Sequence, residues 1–469
     1  MTNDLRGKNA VVLGLGVNQG GAGVARYLVE QGANVRVTDM QDEHRLAEPL
    51  AMLAGLPIEY TLGRHDPADI GWAEIVVRNP AVPRESGWLQ MAREQGARIE
   101  MEMTLFFRAC PAPIIGVTGT KGKTTTATIT ATLLRQIWPE ARLAGNMGRS
   151  AVLELASLDA AVPVVIELSS FQIEGLSEQR MSPHVAVLTN IAEDHLDRYP
   201  SQDDYARTKA CLAAYQEPDD WLVFNCEDGR LPGLLAGMPG RAVRFGRDDN
   251  GSSHSFWIAS GRFHGRWDGE AMDFGPAERL PLPGEHARLN ALAAIAAATA
   301  AGVPEEAIRA GLANVAQVPD RLESLGIIEG VEYVNDTTAT APVAAIAALS
   351  AYAGRPLVVL AGGSEKHISL EDFAAELAER ADAVVLIEGS ATAGLRGLLD
   401  DAGHGAVHGP YGSMADAVGQ AEALAEPGGV VLLSPGCASF GMFRNEFDRG
   451  RQFRDAVEAL RREQVGDSL

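Results

Sequence analysis

Apolar residues in this chain come in short runs, each closed by a glycine or polar turn and followed by a segment with helical spacing. Residues 9–15 predict an apolar strand ending in GLGVNQGG, GVARYLVEQG predicts a helix, and residues 34–38 predict a second strand ending at Asp39. That order is a Rossmann-like β-α-β unit, with a further short strand at residues 75–77. From Ile114 a strand runs into GVTGTKGKTTT and a long helix-compatible stretch, and PVVIELSSF and VAVLTN supply two more apolar strands. Ser201 opens the helix SQDDYARTKACLAAY, with acids in its first turn. Residues 218–283 alternate short apolar stretches with Asp, Gly and Ser turns, which predicts surface hairpins, before the helix ALAAIAAATAAGV. The pattern returns to strands over residues 327–336. LVVLAGG, AVVLIEG and VVLLSPG, separated by segments such as SLEDFAAELAERA, then predict a second Rossmann-like arrangement. The expected fold is α/β in three domains: Rossmann-like 1–109, a central mostly parallel domain 110–320, and Rossmann-like 321–469.

Composition narrows the class without changing that picture. A chain of 469 residues with 46% hydrophobic and 22% charged residues is too long for one ordinary core and reads as a globular enzyme. Forty Lys plus Arg against 62 Asp plus Glu leave a net charge of −22, which argues against a nucleic-acid surface but not against a local cationic site for an anion. Four scattered cysteines without metal spacing, an N-terminus lacking an apolar signal core, and no bilayer-length apolar run predict a cytoplasmic protein.

The chemistry concentrates at GVTGTKGKTTT. An apolar strand, a glycine turn and a helix start bring backbone N–H groups and the helix dipole onto an anion, and Lys123 adds a mobile full charge. Thr124 stands where a phosphate loop places its magnesium ligand, although Val117 occupies the usual position of the first glycine. Glu167 closes a fully apolar strand, at the sheet edge where metal ions and ligands collect; a helix-capping or salt-bridged acid is the other reading. Glu193, Asp194, His195 and Asp197 crowd the exit of the next strand. On helical spacing Lys209 shares a face with Tyr205, Leu212 and Ala213. It is either a rim lysine with its stem packed and its ammonium in water, or a lysine whose amine burial keeps neutral and open to carbamylation by carbon dioxide.

Taken together, TGTKGKTTT, ELSSFQ, NIAEDHLDRY, the lysine helix, NDTTAT and LLSPGCASF occur in the order found in the Mur ligase family, and nearly the whole chain resembles it. The resemblance implies ATP-dependent ligation of an amino acid to a UDP-sugar precursor of peptidoglycan through an acyl phosphate. ELSSFQ, EDHLDRY and SPGCASF are most similar to the branch that adds D-glutamate to UDP-N-acetylmuramoyl-L-alanine. It further implies that Gly119, Thr120, Lys121, Gly122, Lys123, Thr124 and Thr125 hold ATP phosphates, with Asn290 at the adenine, Arg321 at the phosphates and Asp336 at the ribose. Lys123, Glu167, His195 and Lys209 would be catalytic. Thr124 and Glu167 would bind one magnesium ion, and His195 with carbamylated Lys209 a second. Leu15, Gly16, Asp39, Asn146, Ser169 and His195 would take the UDP substrate, and Thr340, Lys366, Ser439 and Phe440 the amino acid. A monomer is expected. Two departures bear on substrates: the first glycine turn is longer than the common pattern, and NDTTAT has Thr338 where a lysine is usual. L-glutamate as acceptor and a folylpolyglutamate synthase-like ligase are the alternatives, the latter disfavoured by the ~110 residues ahead of the phosphate loop.

Overall fold

The computed structural model describes residues 4–17, 19–146, 150–194 and 198–466, with side chains to residue 462. His195, Met147, Gly148 and Asp197 lie outside the described residues. The first sheet is all parallel, in the order β3-β2-β1-β4-β5, from β1 (Asn9–Leu13), β2 (Asn34–Asp39), β3 (Ile58–Leu62), β4 (Ile75–Arg78) and β5 (Arg98–Glu100). Its order reverses at β1, so the turn after that strand sits at a switch point, where ligands collect in such sheets.

The second sheet has nine strands. β6 (Ile114–Thr118) lies between β8 (Val164–Glu167) and β9 (Val185–Leu188), with β7 (Leu143–Gly145) at one edge. Beyond β9 come β10 (Trp221–Asn225), β11 (Arg241–Phe245), β12 (Ser255–Ala259), β13 (Arg262–Trp267) and β14 (Glu270–Pro276). The hairpin expectation holds only for β12 to β14, which pair antiparallel; β10 and β11 instead continue the parallel core sheet. Their half-buried positions, Trp221 and Arg244 among them, break the uninterrupted apolar run that marks β6, β8 and β9. His254 packs edge-on against both Trp221 and Trp267, whose indoles are tilted at 45° with centroids 4.6 Å apart.

The third sheet runs β15-β16-β20-β17-β18-β19, from β15 (Glu323–Ile328), β16 (Val331–Asn335), β17 (Leu357–Ala361), β18 (Ala383–Ile387), β19 (Val407–Tyr411) and β20 (Val430–Leu433). Only β15 pairs antiparallel. Contacts divide the chain into two compact units, Met1–Arg279 with Leu289–Asn314, and Leu280–Arg288 with Val315–Leu469. The first two sheets belong to the former and the third sheet to the latter. Among the described residues no helix is long and apolar enough to cross a membrane.

Candidate active site

The phosphate loop leaves β6 through two glycines that no other residue could replace without rearrangement. A Cβ on Gly119 (φ 153°) would overlap Thr189 Oγ1, and one on Gly122 (φ 82°) would overlap the Asn290 amide. Gly122 caps the Lys123–Leu134 helix in the left-handed region, so Thr124 and Thr125 fall in its first turn. The exit of the neighbouring strand β9 braces the loop. Thr120 N donates to Asn190 O (2.9 Å), Lys121 N to Asn190 Oδ1 (2.9 Å), and Thr189 Oγ1 to Lys121 O (2.6 Å). Lys123 folds over the loop, its Nζ donating to Gly119 O (3.0 Å) and Thr120 O (2.9 Å). Lys121 faces Asp194 at 3.7 Å.

Beneath the loop lies the cluster that the apolar strands and the lysine helix predict separately. Glu167, at the end of β8, is buried; Asn146 donates to its Oε1 at 3.2 Å, while Oε2 has no hydrogen-bond partner among the described residues. Lys209, on the Gln202–Ala210 helix capped by Ser201, is 1% exposed. Its Nζ lies 3.5 Å from Thr118 Oγ1 and 4.8 Å above the Tyr205 ring, with no carboxylate of a described residue in ion-pair range. Burial first, and then the Lys123 charge, drive its pKa well below the ordinary lysine value, which favours the neutral amine, and the ammonium end does not reach water. The rim-lysine reading is therefore set aside. Tyr205 in turn donates to Thr120 Oγ1 (3.3 Å), tying this helix to the phosphate loop.

A partnerless carboxylate oxygen in a buried site is costly unless an ion or water occupies it, and Glu167 Oε2 is such an atom. Among the described residues no cluster of three His, Cys, Asp or Glu side chains could hold a metal alone. A cation here would draw its remaining oxygens from Thr124 and from nucleotide phosphates, which suits magnesium. Asn290 differs from its expected place at a helix start: the helix runs from Glu285 to Ala300, so Asn290 sits in its second turn with its amide against Gly122.

In the first sheet, Asp39 braces the switch-point turn. Its Oδ2 accepts from Gly16 N (2.9 Å) and its Oδ1 from Gln41 N (2.8 Å), while the Leu15 side chain is fully buried beneath. Asn79, to which the motifs give no role, faces the same turn; a Cβ on Gly16 would lie 3.0 Å from its Nδ2. Ser169 caps the Ser170–Glu178 helix in a reciprocal box with Gln172, which occupies its hydroxyl structurally.

In the second unit, three acceptor segments meet. Ser364 and Ala438 exchange backbone hydrogen bonds (2.8 and 3.0 Å), aligning GGSEKH with GCASF, and Lys366 Nζ donates to Thr340 Oγ1 at 2.9 Å. Ser439 is buried and Phe440 is exposed. A cavity of ≈ 540 Å³ opens beside them, lined by Ser364, Lys366, Glu371, Ser390 and Cys437. Thr338 does not project as a cationic group would; its hydroxyl donates to Asp320 O (2.8 Å). Asp336 is buried, accepting from Leu322 N (3.2 Å) and Ser434 Oγ (2.8 Å), and burial pushes its carboxyl up to about 7. Arg321 is half-buried, its N–H bonded to Val318 O at 3.2 Å. Arg449, which the sequence reading missed, is fully buried and donates to Thr337 O (2.8 Å), Thr337 Oγ1 (3.0 Å) and Cys437 O (3.2 Å), welding two of these segments together. Its only signal in the sequence is an arginine flanked by FD and G in an otherwise polar helix.

Three family models cover the chain: Mur ligase MurD-like, N-terminal domain over 8–100, Mur ligase middle domain over 117–298, and Mur ligase, glutamate ligase domain over 320–437. The chain belongs to the Mur ligase family. A UDP-N-acetylmuramoylalanine--D-glutamate ligase of Roseiflexus sp. (strain RS-1) is 45% identical to this Mur ligase, over 97% of this chain and 99% of that protein. The enzyme of the same name from Geobacter metallireducens is 37% identical, over 97% and 98% respectively. Among solved structures, UDP-N-acetylmuramate-alanine ligase of Thermotoga maritima matches with TM-score 0.61 at 21% identity, covering 96% of this chain and 99% of that one. That likeness bears on the fold alone. It agrees with the three-sheet α/β architecture of this Mur ligase.

Proposed function

We propose that this Mur ligase uses ATP to join D-glutamate to UDP-N-acetylmuramoyl-L-alanine in peptidoglycan precursor synthesis. The observation that carries the reading is the juxtaposition of Lys123, the partnerless Glu167 oxygen and the buried Lys209 under one phosphate loop. The full-length similarity to D-glutamate ligases supports the acceptor.

In this reading the substrate carboxylate attacks the γ-phosphate of ATP to give an acyl phosphate and ADP. The glutamate amine then adds to the acyl carbon and inorganic phosphate leaves. The first step brings two anions together and the second, in which the amine gives up a proton, passes through an oxyanionic tetrahedral intermediate, so positive charge and fixed N–H donors dominate catalysis. Lys123 would leave its two carbonyl partners for the γ-phosphate, and residues 119–125 would cradle the triphosphate. Asn290, Arg321 and Asp336 would contact the adenine, phosphates and ribose. We assign two magnesium ions, one to Thr124 and Glu167 and one to His195 and carbamylated Lys209; when bound, they would neutralise charge on the phosphates. Leu15, Gly16, Asp39, Asn146 and Ser169 would take the nucleotide sugar. Lys366, Thr340, Ser439 and Phe440 would take glutamate. We assign domain limits of 1–109, 110–320 and 321–469, and a cytoplasmic monomer.

The test is phosphate release with UDP-N-acetylmuramoyl-L-alanine and D-glutamate, L-glutamate, D-aspartate or meso-diaminopimelate. D-glutamate should be preferred by at least about a hundredfold, as expected where a polar site is left mispaired by the wrong acceptor. Preference for a non-glutamate acceptor would overturn the reading.

A further inference from the structure

Glu102, the first residue of the Glu102–Ala109 helix joining the first two sheets, has no role in the chemistry described so far. Its carboxylate points inward. Oε1 accepts from Ser150 Oγ and from Ala151 N, both at 2.6 Å, and Val152 N is a third donor. Those donors open the Ala151–Ser157 helical turn, four residues beyond Asn146. The Gln19–Glu30 helix presses on the same place. A Cβ on Gly23 would overlap the Ser150 side chain, and one on Gly20 would come within 3.2 Å of Glu102 Oε2.

One carboxylate thus joins three pieces of chain: the linker helix, the helix that follows the Gly16 turn, and the segment that opens at Ser150, four positions after Asn146 in the sequence. The last two flank groups assigned above to the nucleotide sugar. Desolvation holds the carboxyl up at about 7 despite its three donors, so burying it costs stability. A leucine would glue the same helices together without that cost, but it could not fix Ser150 by direction. Short hydrogen bonds to an ionised acceptor are both strong and orienting.

We propose that Glu102 is a positioning residue for the nucleotide-sugar substrate: it holds the Ser150 segment against the first turns of the Gln19–Glu30 helix, so that Gly16 and Asn146 face the substrate before it arrives. The benefit is preorganisation, which appears in substrate affinity rather than in turnover. The inference rests on the assignment of Gly16 and Asn146 to that substrate.

Steady-state kinetics of E102A, E102Q, S150A and N146A test it, with circular dichroism to verify folding and calorimetric titration of UDP as a probe of binding without turnover. E102A should raise the KM for UDP-N-acetylmuramoyl-L-alanine about tenfold and S150A about threefold, with kcat and the ATP KM within about twofold. E102Q should fall between them, since an amide oxygen still accepts one N–H. If E102A does not fold, the ratios for S150A and E102Q decide. Equal rises in both KM values, or none in the glutamate and serine variants while N146A raises the nucleotide-sugar KM, would overturn the role of Glu102. An unchanged KM in N146A would instead overturn the substrate assignment, and the inference with it.

Discussion

At the scale of single residues, Lys209 is the sharpest assignment. It is buried, its pKa is driven well below the ordinary lysine value by burial, and it has no anionic partner among the described residues, whereas a charged structural lysine would need one. Lys209→Ala should lower phosphate release by about a hundredfold or more, and millimolar formate or acetate should restore part of it by supplying the missing anion. Lys209→Arg should be equally inactive, because guanidinium cannot form a carbamate. An active arginine variant would mean that only a cation is needed. Asp336 gives a pH prediction. Its folded pKa, about 7, lies above the ordinary carboxyl value, so its contribution to stability is complete below about pH 4 and is lost as pH rises through 7. In Asp336→Asn the amide oxygen can still accept from Leu322 N, and the Ser434 hydroxyl can turn to accept from the amide. The variant should therefore lose less stability than the parent between pH 6 and 8. Identical slopes in thermal melts would refute the assignment.

At the scale of elements, strands buried on both faces were the most legible and some of the edge strands the least. β1, β6, β8, β9, β17, β18 and β20 read as unbroken apolar runs because helices cover both sides of each sheet. β3 (IEYTL) lies at a sheet edge with two exposed residues, and β19 (VHGPY) is an edge strand carrying a proline, so neither stands out. The site divides in the same way. Loop glycines, Lys123 and the inward face of Lys209 follow from local spacing. The Glu102–Ser150 and Arg449–Thr337 contacts join residues 48 and 112 positions apart, and no local pattern encodes them. Thr338 was legible as a departure, but only the structure shows its hydroxyl spent on the Asp320 carbonyl.

At the scale of the molecule, the two compact units each have a core of their own, one around the first two sheets and one around the third. Their aromatic residues are divided unevenly. The six tryptophans, at positions 72, 88, 138, 221, 257 and 267, all fall in the first unit, and the 315–469 segment has none. Intrinsic tryptophan emission is therefore a reporter for one of the two units. It is dark to the unit that carries Lys366. In a denaturant titration the emission curve and the far-ultraviolet dichroism curve should not superimpose, because dichroism sees the helices of both units. Coincident curves would mean that the units melt as one. A fluorescence midpoint for this ligase therefore measures the unit built on the first two sheets and says nothing of the unit built on the third.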